Sequence, residues 1–393
     1  EISCSLVGSE MCIRDSYGSG HPVMGFLGEF DALPGLSQKV SVNKEPVEGQ
    51  PYGHGCGHNL LCSAHVAGVI GLKEEMIQRN LPGTIVFYAC PGEELLTGKP
   101  LMAKGGAFEG LDVAVNFHPN KINEATVGVS TAVNSAKFHF YGKASHAANA
   151  PENGRSALDA VELTDIGANY LREHVPSDVR IHYTIVDGGV APNIVPDKAV
   201  VWYYMRAFSR EVVENVYERL VKVAKGAAMM TETELEIEFL GGCYNTQNNH
   251  VLAGVVAEAM NEIPQEPWTQ EELDFAAALD EQTADAARAT TKKYGLSADT
   301  HLYTGPGQVT CFNSYGSTDV GDVMHLVPTA YFFTACTNMG APAHSWQFAS
   351  CAGSSIGEKG MIYAAKVMAL YGLKLIEKPE LIAQAKELSL IHI

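Results

Sequence analysis

Residues 52–60, YGHGCGHNL, place a thiol and an imidazole two residues apart in a glycine-rich segment. Cys56 and His58 are residue types that bind borderline divalent cations such as Zn²⁺. The glycines on either side of Cys56 would allow the backbone to bend tightly around bound metal. Such a Cys–His pair is also common in loops that bind no metal. The segment alone therefore indicates only a candidate metal site.

Three further donor residues follow predicted strands. Glu93 and Glu94 come after the β-branched and aromatic run 84–90, TIVFYAC. His118 comes directly after the apolar run 111–117, LDVAVNF. Open α/β sheets bind ligands outside the carboxyl ends of their strands, so these loops would deliver thiolate, imidazole and carboxylate to one sheet edge.

This mixed donor set predicts one or two divalent cations at an open, catalytic site. Cys-x-x-Cys pairs, which are typical of closed structural zinc sites, do not occur in the sequence. Adjacent acids suit hydrolysis, because one carboxylate can bind metal while its neighbour faces the metal-bound water. The second carboxylate can take a proton from that water and pass it to the leaving amine. The alternative is that Glu93 and Glu94 are a solvated pair at a helix start.

The elements that would position these residues alternate between strand and helix. The run 22–31 is typical of a buried strand, and 59–79 is typical of a long helix rich in apolar residues. The runs 84–90 and 111–117 are typical of strands. Strands that alternate with helices predict an α/β fold, with a mostly parallel sheet covered on both faces.

From about residue 133 the pattern changes to strand, helix, two strands, helix and strand. This βαββαβ order is typical of a ferredoxin-like α+β unit, a four-stranded antiparallel sheet under two helices. Helix–strand alternation resumes after Asn249. We therefore predict a discontinuous catalytic domain (17–132 and 249–387) interrupted by an inserted lid or dimerisation domain (133–248).

Composition excludes several classes of partner. The 393 residues carry 45 acidic and 27 basic side chains, for a formal net charge of −18. Such a surface repels nucleic-acid phosphate and anionic lipid, so we expect neither a nucleic-acid nor a membrane partner. No apolar run approaches the roughly 20 residues of a membrane-spanning helix. Nine irregularly spaced cysteines do not form a disulfide framework and fit a cytoplasmic location.

Both ends of the chain have unusual sequences. Residues 1–16 and 388–393 resemble translated sequencing adapter, so we expect both tips to be non-native. The native start of the chain would then be missing.

Seven segments occur in an order and at spacings similar to those of one family: GEFDALPG, GHGCGHN, PGEE, NFHP, GKASHAANAPENGRSALDA, APNIVPDKAVVWYYMR and APAHSW. The chain resembles the dinuclear-metal aminoacylases and carboxypeptidases of metallopeptidase family 20. Within them it is most similar to the hippurate-hydrolase-like subfamily and its aminobenzoyl-glutamate utilisation group. The resemblance runs from Tyr17 to about Glu387.

The resemblance implies two divalent cations per subunit, zinc or manganese. Their implied ligands are Cys56, His58, Glu94, His118 and His344. Cys56 would be the thiolate that bridges the two ions. Glu93 would be the general base and acid.

The remaining implied site residues lie in the inserted domain. His146 would polarise the scissile carbonyl, and in relatives this residue often serves the neighbouring subunit. Asn193 and Arg206 match positions associated with binding a substrate carboxylate, although Arg206 could instead be a surface partner of Glu211. The resemblance further implies a homodimer or an assembly with a second related subunit.

Two positions depart from the wider family. Asn59 stands where many members carry Asp, and Glu29-Phe30-Asp31 replaces a metal-binding His-x-Asp. Within the subfamily, the cysteine compensates for the missing histidine.

The resulting functional hypothesis is a metal-dependent amidohydrolase that cleaves N-acyl or N-aroyl amino acids, with p-aminobenzoyl-glutamate-like conjugates as the expected substrates. One alternative is a dipeptidase or carboxypeptidase of the same fold. Another is a catalytically silent, truncated product.

Overall fold

The computed structural model describes residues 3–6 and 13–392. Residues 1–2, 7–12 and 393, which belong to the predicted non-native tips, lie outside the described residues. The chain divides into two compact units. The first falls within 1–128, 247–312 and 322–393, and the second comprises 129–246 and 313–321. The short segment 313–321 belongs to the second unit although it lies far from residues 129–246 in the sequence. The sequence pattern did not predict this assignment.

The strands of the described chain are β1 (Ser3–Leu6), β2 (Ile13–Ser19), β3 (Val23–Glu29), β4 (Leu33–Pro34), β5 (Tyr52–Gly53), β6 (Gly83–Cys90), β7 (Val113–Asn120), β8 (Glu124–Thr126), β9 (Ala132–Tyr141), β10 (Arg180–Asp187), β11 (Lys198–Ala207), β12 (Glu234–Cys243), β13 (Gln308–Thr310) and β14 (Thr329–Ala335).

The α-helices are α1 (His58–Arg79), α2 (Gly98–Lys104), α3 (Ala157–Leu171), α4 (Arg210–Thr231), α5 (His250–Glu262), α6 (Gln270–Gln282), α7 (Ala284–Lys293), α8 (Val320–Met324), α9 (Trp346–Ala352), α10 (Ser355–Glu377) and α11 (Pro379–His392). Short 3₁₀ turns occur at Glu93–Leu95, Pro151–Asn153 and Arg172–His174. Across residues 3–6 and 13–392, no helix has both the length and the apolar composition that crossing a bilayer requires.

The first unit is built on an eight-stranded sheet with the order β1-β2-β6-β3-β7-β14-β8-β13. Its four central strands, β6, β3, β7 and β14, run parallel to one another. The antiparallel pairings lie outside this centre, at β1–β2, β2–β6 and β14–β8. The prediction of a mostly parallel sheet is confirmed, and its carboxyl edge brings the ends of four strands side by side.

Helix α1 follows from the apolar spacing of its sequence. Leu60, Leu61, Ala64 and Leu72 are buried against the sheet and α10, so one face of the helix belongs to the main core. At Gly68 a Cβ would come within 3.1 Å of the Ala365 carbonyl oxygen, so this glycine permits close packing on α10. The helix thus holds its first residue, His58, rigidly at the sheet edge.

The second unit has the predicted βαββαβ order, formed by β9, α3, β10, β11, α4 and β12. The strands pair antiparallel in the order β10-β11-β9-β12. Alternate residues of β9 and β11, such as Phe138, Phe140 and Tyr203, are buried in an apolar core with α3 and α4. This unit has a hydrophobic core of its own.

Part of the first predicted tip is ordered into the sheet. Residues 13–16 form the first half of β2, whose pairing with β6 runs from Ile13 opposite Ala89 to Ser19 opposite Gly83. Residues 388–392 form the end of α11.

Candidate metal centre

The carboxyl edge of the parallel strands collects residues that can bind a metal. They come from the start of α1, the turn after β6, the end of β7 and the segment after β14: Cys56, His58, Glu93, Glu94, His118 and His344. Parallel strands end on one edge, so residues far apart in sequence meet there.

Two groups of donor atoms share the Cys56 sulfur. Cys56, His58 and His118 form one group, and Cys56, Glu94 and His344 form the other, with all donor atoms of a group within 4.8 Å of one another. Cys56 Sγ lies 3.4 Å from His118 Nε2, and His344 Nε2 lies 3.4 Å from Glu94 Oε2. Atoms bound at zinc distances to one tetrahedral ion are spaced about 3.3–3.7 Å apart. The structure therefore brings all five expected ligands together.

Polar atoms without partners show that these residues fit a divalent cation. His58 Nε2 and Glu94 Oε1 are buried and have no hydrogen-bond partner within the described chain. Leaving such atoms unsatisfied costs about 1–3 kcal/mol each. A cation at this position would satisfy both atoms, because imidazole nitrogen, thiolate and carboxylate oxygen are all zinc ligands.

The backbone around the donors adopts conformations that few residues tolerate. Gly57, between Cys56 and His58, has φ 81°, and a Cβ there would lie 2.9 Å from a Phe348 ring carbon. His344 itself has φ 55°, in the left-handed region that non-glycine residues seldom adopt. Strained backbone of this kind is concentrated at functional sites.

Asp31 orients the site from outside the donor groups. His58 Nδ1 donates to Asp31 Oδ1 at 2.9 Å, which directs Nε2 towards the other donors. The second oxygen of Asp31 accepts the Glu94 backbone N–H at 2.9 Å. A carboxylate that fixes the outward nitrogen of a metal-binding histidine is a common supporting contact. The sequence places Asp31 at the end of the predicted strand 22–31, in the slot of a metal-binding His-x-Asp, but does not predict its contact with His58.

The electrostatics differ among the donors. Burial alone would lower the pKa of His58, but the hydrogen bond to Asp31 and the nearby Cys56 and Glu29 raise this pKa to about 12. Burial raises the pKa of Cys56 to about 12. Burial lowers the pKa of His118 to about 4. His118 is therefore neutral at physiological pH, whereas a metal must displace protons from Cys56 and His58.

Glu93 lies beside these donors without belonging to the two groups that share Cys56. Its side chain is about as buried as that of Glu94, each 10% exposed. Its Oε2 atom lies 3.8 Å from His58 Nε2. The alternative of a solvated acidic pair at a helix start is therefore wrong, since both side chains face the donor cluster.

The second unit holds the other three residues expected in the site. His146 is exposed, and its Nδ1 accepts the backbone N–H groups of Ala148 and Asn149 at 3.2 and 3.1 Å. These contacts place the proton of neutral His146 on Nε2. Asn193 is also exposed, and its backbone carbonyl oxygen accepts the Ala147 backbone N–H at 3.0 Å. The His146 and Asn193 loops are therefore tied together.

Arg206 lies near the end of β11. Its Nη1 donates to Ser317 Oγ at 2.7 Å, and its guanidinium carbon lies 5.3 Å from the centre of the Tyr204 ring. In the part of the chain that the structure describes, no acidic side chain forms an ion pair with Arg206. The alternative pairing with Glu211 is therefore wrong. Burial lowers the pKa of Arg206, as expected of a cation that has lost part of its hydration.

The sequence singled out Glu29 only as part of the Glu29-Phe30-Asp31 departure and did not predict its pairing with Lys99. Glu29, the last residue of β3, is fully buried, and its Oε1 lies 2.6 Å from the equally buried Lys99 Nζ. Its other oxygen lies 3.5 Å from His58 Nε2. Glu29, His58 and Glu93 form a third group of potential metal donors. The sequence shows that Glu29 is an acid at the end of a predicted strand. It does not show the pairing with Lys99, because that lysine is 70 residues away.

Comparisons with known proteins agree with this geometry. Residues 132–229 match the model of the peptidase dimerisation domain of M20 enzymes. The chain is 40% identical over 376 residues to one of the subunits of p-aminobenzoyl-glutamate hydrolase from Escherichia coli K12, covering 90% of this chain and 77% of that protein. The chain belongs to the M20 peptidase family. It is therefore a metal-dependent hydrolase of amide or peptide bonds.

Two further relatives show the range of the M20 family. The chain is 30% identical over 366 residues to the Xaa-Arg dipeptidase of Mus musculus, which covers 91% of this chain and 71% of the mouse protein. A dinuclear metal binding M20 peptidase from Bacillus subtilis has the same fold, with a TM-score of 0.60 at 18% identity over 96% of this chain and 88% of the other.

Proposed function

We propose that this M20 enzyme hydrolyses the amide bond of N-acyl or N-aroyl amino acids, with p-aminobenzoyl-glutamate-like conjugates as its substrate class. The observation that carries the proposal is the pair of donor groups sharing Cys56, with Glu93 beside them. Likeness to the E. coli p-aminobenzoyl-glutamate hydrolase supports the substrate class.

The donor groups would hold two divalent cations, zinc or manganese. His58 and His118 would bind one ion, Glu94 and His344 the other, and Cys56 both. Bound metal would lower the pKa of a water molecule and polarise the substrate carbonyl. Sulfur and nitrogen donors favour zinc, whereas manganese prefers oxygen, so zinc fits this set better.

Glu93 would move the proton. Its carboxylate is buried at the donor cluster and its turn is fixed by Gly92, which has φ 66°. A carboxylate held there can accept a proton from the attacking water and donate it to the departing amine. The neighbouring Glu94 diverges from it to the His344 side, so the two acids serve different roles.

His146, Asn193 and Arg206 would bind the substrate. His146 has its Nε2–H available as a donor to a carbonyl oxygen, since backbone N–H groups occupy Nδ1. Arg206 has a planar guanidinium with no acidic partner among residues 3–6 and 13–392, so a substrate carboxylate can pair with it. This requirement would favour amino-acid amides over simple amides.

The remaining proposals concern assembly and location. The dimerisation domain supports a homodimer. The E. coli relative is named as one subunit of its hydrolase, which supports assembly with a second related chain as the alternative. Cys56, Cys62, Cys90, Cys243, Cys311, Cys336 and Cys351 have free thiols, which fits a reducing cytoplasm.

The test is a substrate panel assayed with purified, metal-loaded protein. It should contain p-aminobenzoyl-glutamate, N-acetyl-glutamate, N-benzoyl-glycine and the amide p-aminobenzamide, which lacks the amino-acid carboxylate. We expect turnover of the conjugated amino acids and none of the simple amide. Equal activity of the Glu93→Gln variant, or turnover of p-aminobenzamide alone, would contradict the proposal.

A second candidate is a dipeptidase, favoured by likeness to the mouse Xaa-Arg dipeptidase. The same panel should include dipeptides with a C-terminal arginine and with a C-terminal glutamate. A kcat/KM for Xaa-Arg dipeptides above that for p-aminobenzoyl-glutamate would establish this candidate instead.

A further inference from the structure

The donor cluster continues inward from the expected ligands to a buried ion pair. Glu29 and Lys99 both have 0% relative exposure, and Lys99 Nζ lies 2.6 Å from Glu29 Oε1. Asn116 Nδ2 donates to the same oxygen at 3.2 Å. One oxygen of Glu29 is thus held by a cation and an amide, which fixes the carboxylate in place.

The other oxygen of Glu29 is left open towards the site. Glu29 Oε2 is buried without a hydrogen-bond partner among the residues described, and so is His58 Nε2. The two atoms lie 3.5 Å apart. Ligand atoms of one tetrahedral ion are spaced about 3.3 Å apart when both are bound at roughly 2.0–2.1 Å. Two orphaned atoms at this spacing match a cation that both could contact.

The site is also asymmetric in depth. The group of Glu29, His58 and Glu93 is buried at every member, whereas the His344 side chain is 53% exposed. Buried charges are stable only when paired or bound to metal. Lys99 engages Oε1, so Oε2, which accepts no hydrogen bond within the described chain, is the oxygen that can bind a metal on the His58 side.

We propose that Glu29, anchored by Lys99, is a further metal-binding residue for the cation that His58 holds. This inference rests on the proposed metal-dependent function. Its consequence is unequal binding: the inner ion gains an oxygen contact and is held more tightly than the outer ion near His344.

The test is a zinc titration of metal-free protein against a chelator of known affinity, combined with zinc counts after desalting. The variants are Glu29→Gln and, as matched control, Glu272→Gln. Glu272 is another buried carboxylate paired with a lysine, Lys359 Nζ at 2.8 Å, but it belongs to none of the donor groups. We expect Glu29→Gln to weaken one of the two zinc affinities at least about 10-fold, because loss of a group that only supports a metal ligand already costs about 10- to 100-fold. Glu272→Gln should keep both affinities.

The outcomes separate this inference from the proposed function. Wild-type protein that binds no zinc contradicts both. The role of Glu29 alone is overturned if Glu29→Gln binds two zinc ions with the same two affinities as wild type and has the wild-type melting temperature. If Glu29→Gln fails to fold, Glu29→Asp keeps the charge facing Lys99 and shortens the reach to His58. Glu29→Asp should then weaken one ion, and wild-type affinity for both would overturn the inference.

Discussion

The two units of the chain differ in whether their buried polar side-chain atoms all have hydrogen-bond partners. In the second unit, the buried Tyr203 hydroxyl donates to Asp165, and Thr164 Oγ1 donates to the Ala160 carbonyl at 2.7 Å. In the first unit, Glu29, His58 and Glu94 each keep a buried atom with no hydrogen-bond partner in the described chain. Every side-chain atom of that kind found in residues 3–6 and 13–392 belongs to the first unit.

The difference separates a scaffold from a binding site. Buried polar groups normally find partners, because an unsatisfied group destabilises the fold. The first unit also has such atoms away from the metal centre, for example Tyr371 Oη. The three at the sheet edge differ because they lie among the donor groups, where a bound cation would satisfy them. The described part of the second unit needs no ligand to satisfy its buried side chains, whereas the donor cluster of the first unit has buried atoms that a ligand would satisfy.

The largest expected effect is on turnover, at the edge of the unsatisfied cluster. Glu93→Gln should lower kcat about 10²- to 10⁴-fold, because the amide cannot carry the proton, and should keep both metals. Steady-state kinetics and metal counts check this, with exposed Glu109→Gln as the unaffected control. A Glu93→Gln variant that loses metal but keeps its activity per bound metal would show that Glu93 and Glu94 have exchanged roles.

The next effect is on stability, in the satisfied unit. Phe138 is fully buried between the sheet and helices of the second unit, with its ring 5.6 Å from that of Tyr203. Phe138→Ala should lower the free energy of unfolding of this unit by about 3–5 kcal/mol. Chemical denaturation measures the loss, and the zinc affinities should remain as in wild type. Weakened metal binding in the folded variant would contradict the separation of the two units.

The smallest effect is a dependence of stability on pH in the second unit. Burial raises the pKa of Asp165 to about 6 from an ordinary 3.8. The folded state then binds this proton more tightly than the unfolded state, so stability is gained as pH falls from about 6 to 4 and lost as it rises through 6. Asp165→Asn should remove about 1–2 kcal/mol of this dependence.

Denaturation at pH 4.5 and pH 7.5 checks the expected slope. The exposed Glu173→Gln, in the 3₁₀ turn after α3, should keep the wild-type slope. An unchanged slope in Asp165→Asn would place the titrating group elsewhere.

The sequence predicts the fold well where the pattern is local. The apolar residues of 59–79 predict α1, and the β-branched and aromatic run 84–90 predicts β6. The expected donors converge because they directly follow parallel strands, a relation that the sequence contains. Segment 313–321 joins the second unit through contacts distant in sequence, which no local pattern predicts.

The inner part of the site was beyond sequence reasoning for a physical reason. Lysine is almost never fully buried unless paired, so Lys99 in a short helix is expected at the surface. Only the fold shows that β3 brings Glu29 beneath that helix to form the pair. The tautomer of His146 depends likewise on the turn that follows it.

The number of metal ions per chain, measured by elemental analysis of desalted protein, tests the two-metal centre most directly. Cys56 belongs to both donor groups, so Cys56→Ser should lose both ions, whereas Glu94→Ala should lose mainly one. Cys311→Ser, at an exposed cysteine outside the groups, should keep the wild-type count. We predict two divalent ions per wild-type chain. A folded, active wild-type protein without bound metal, or a Cys56→Ser variant that still binds two ions, would contradict a two-metal centre that shares Cys56.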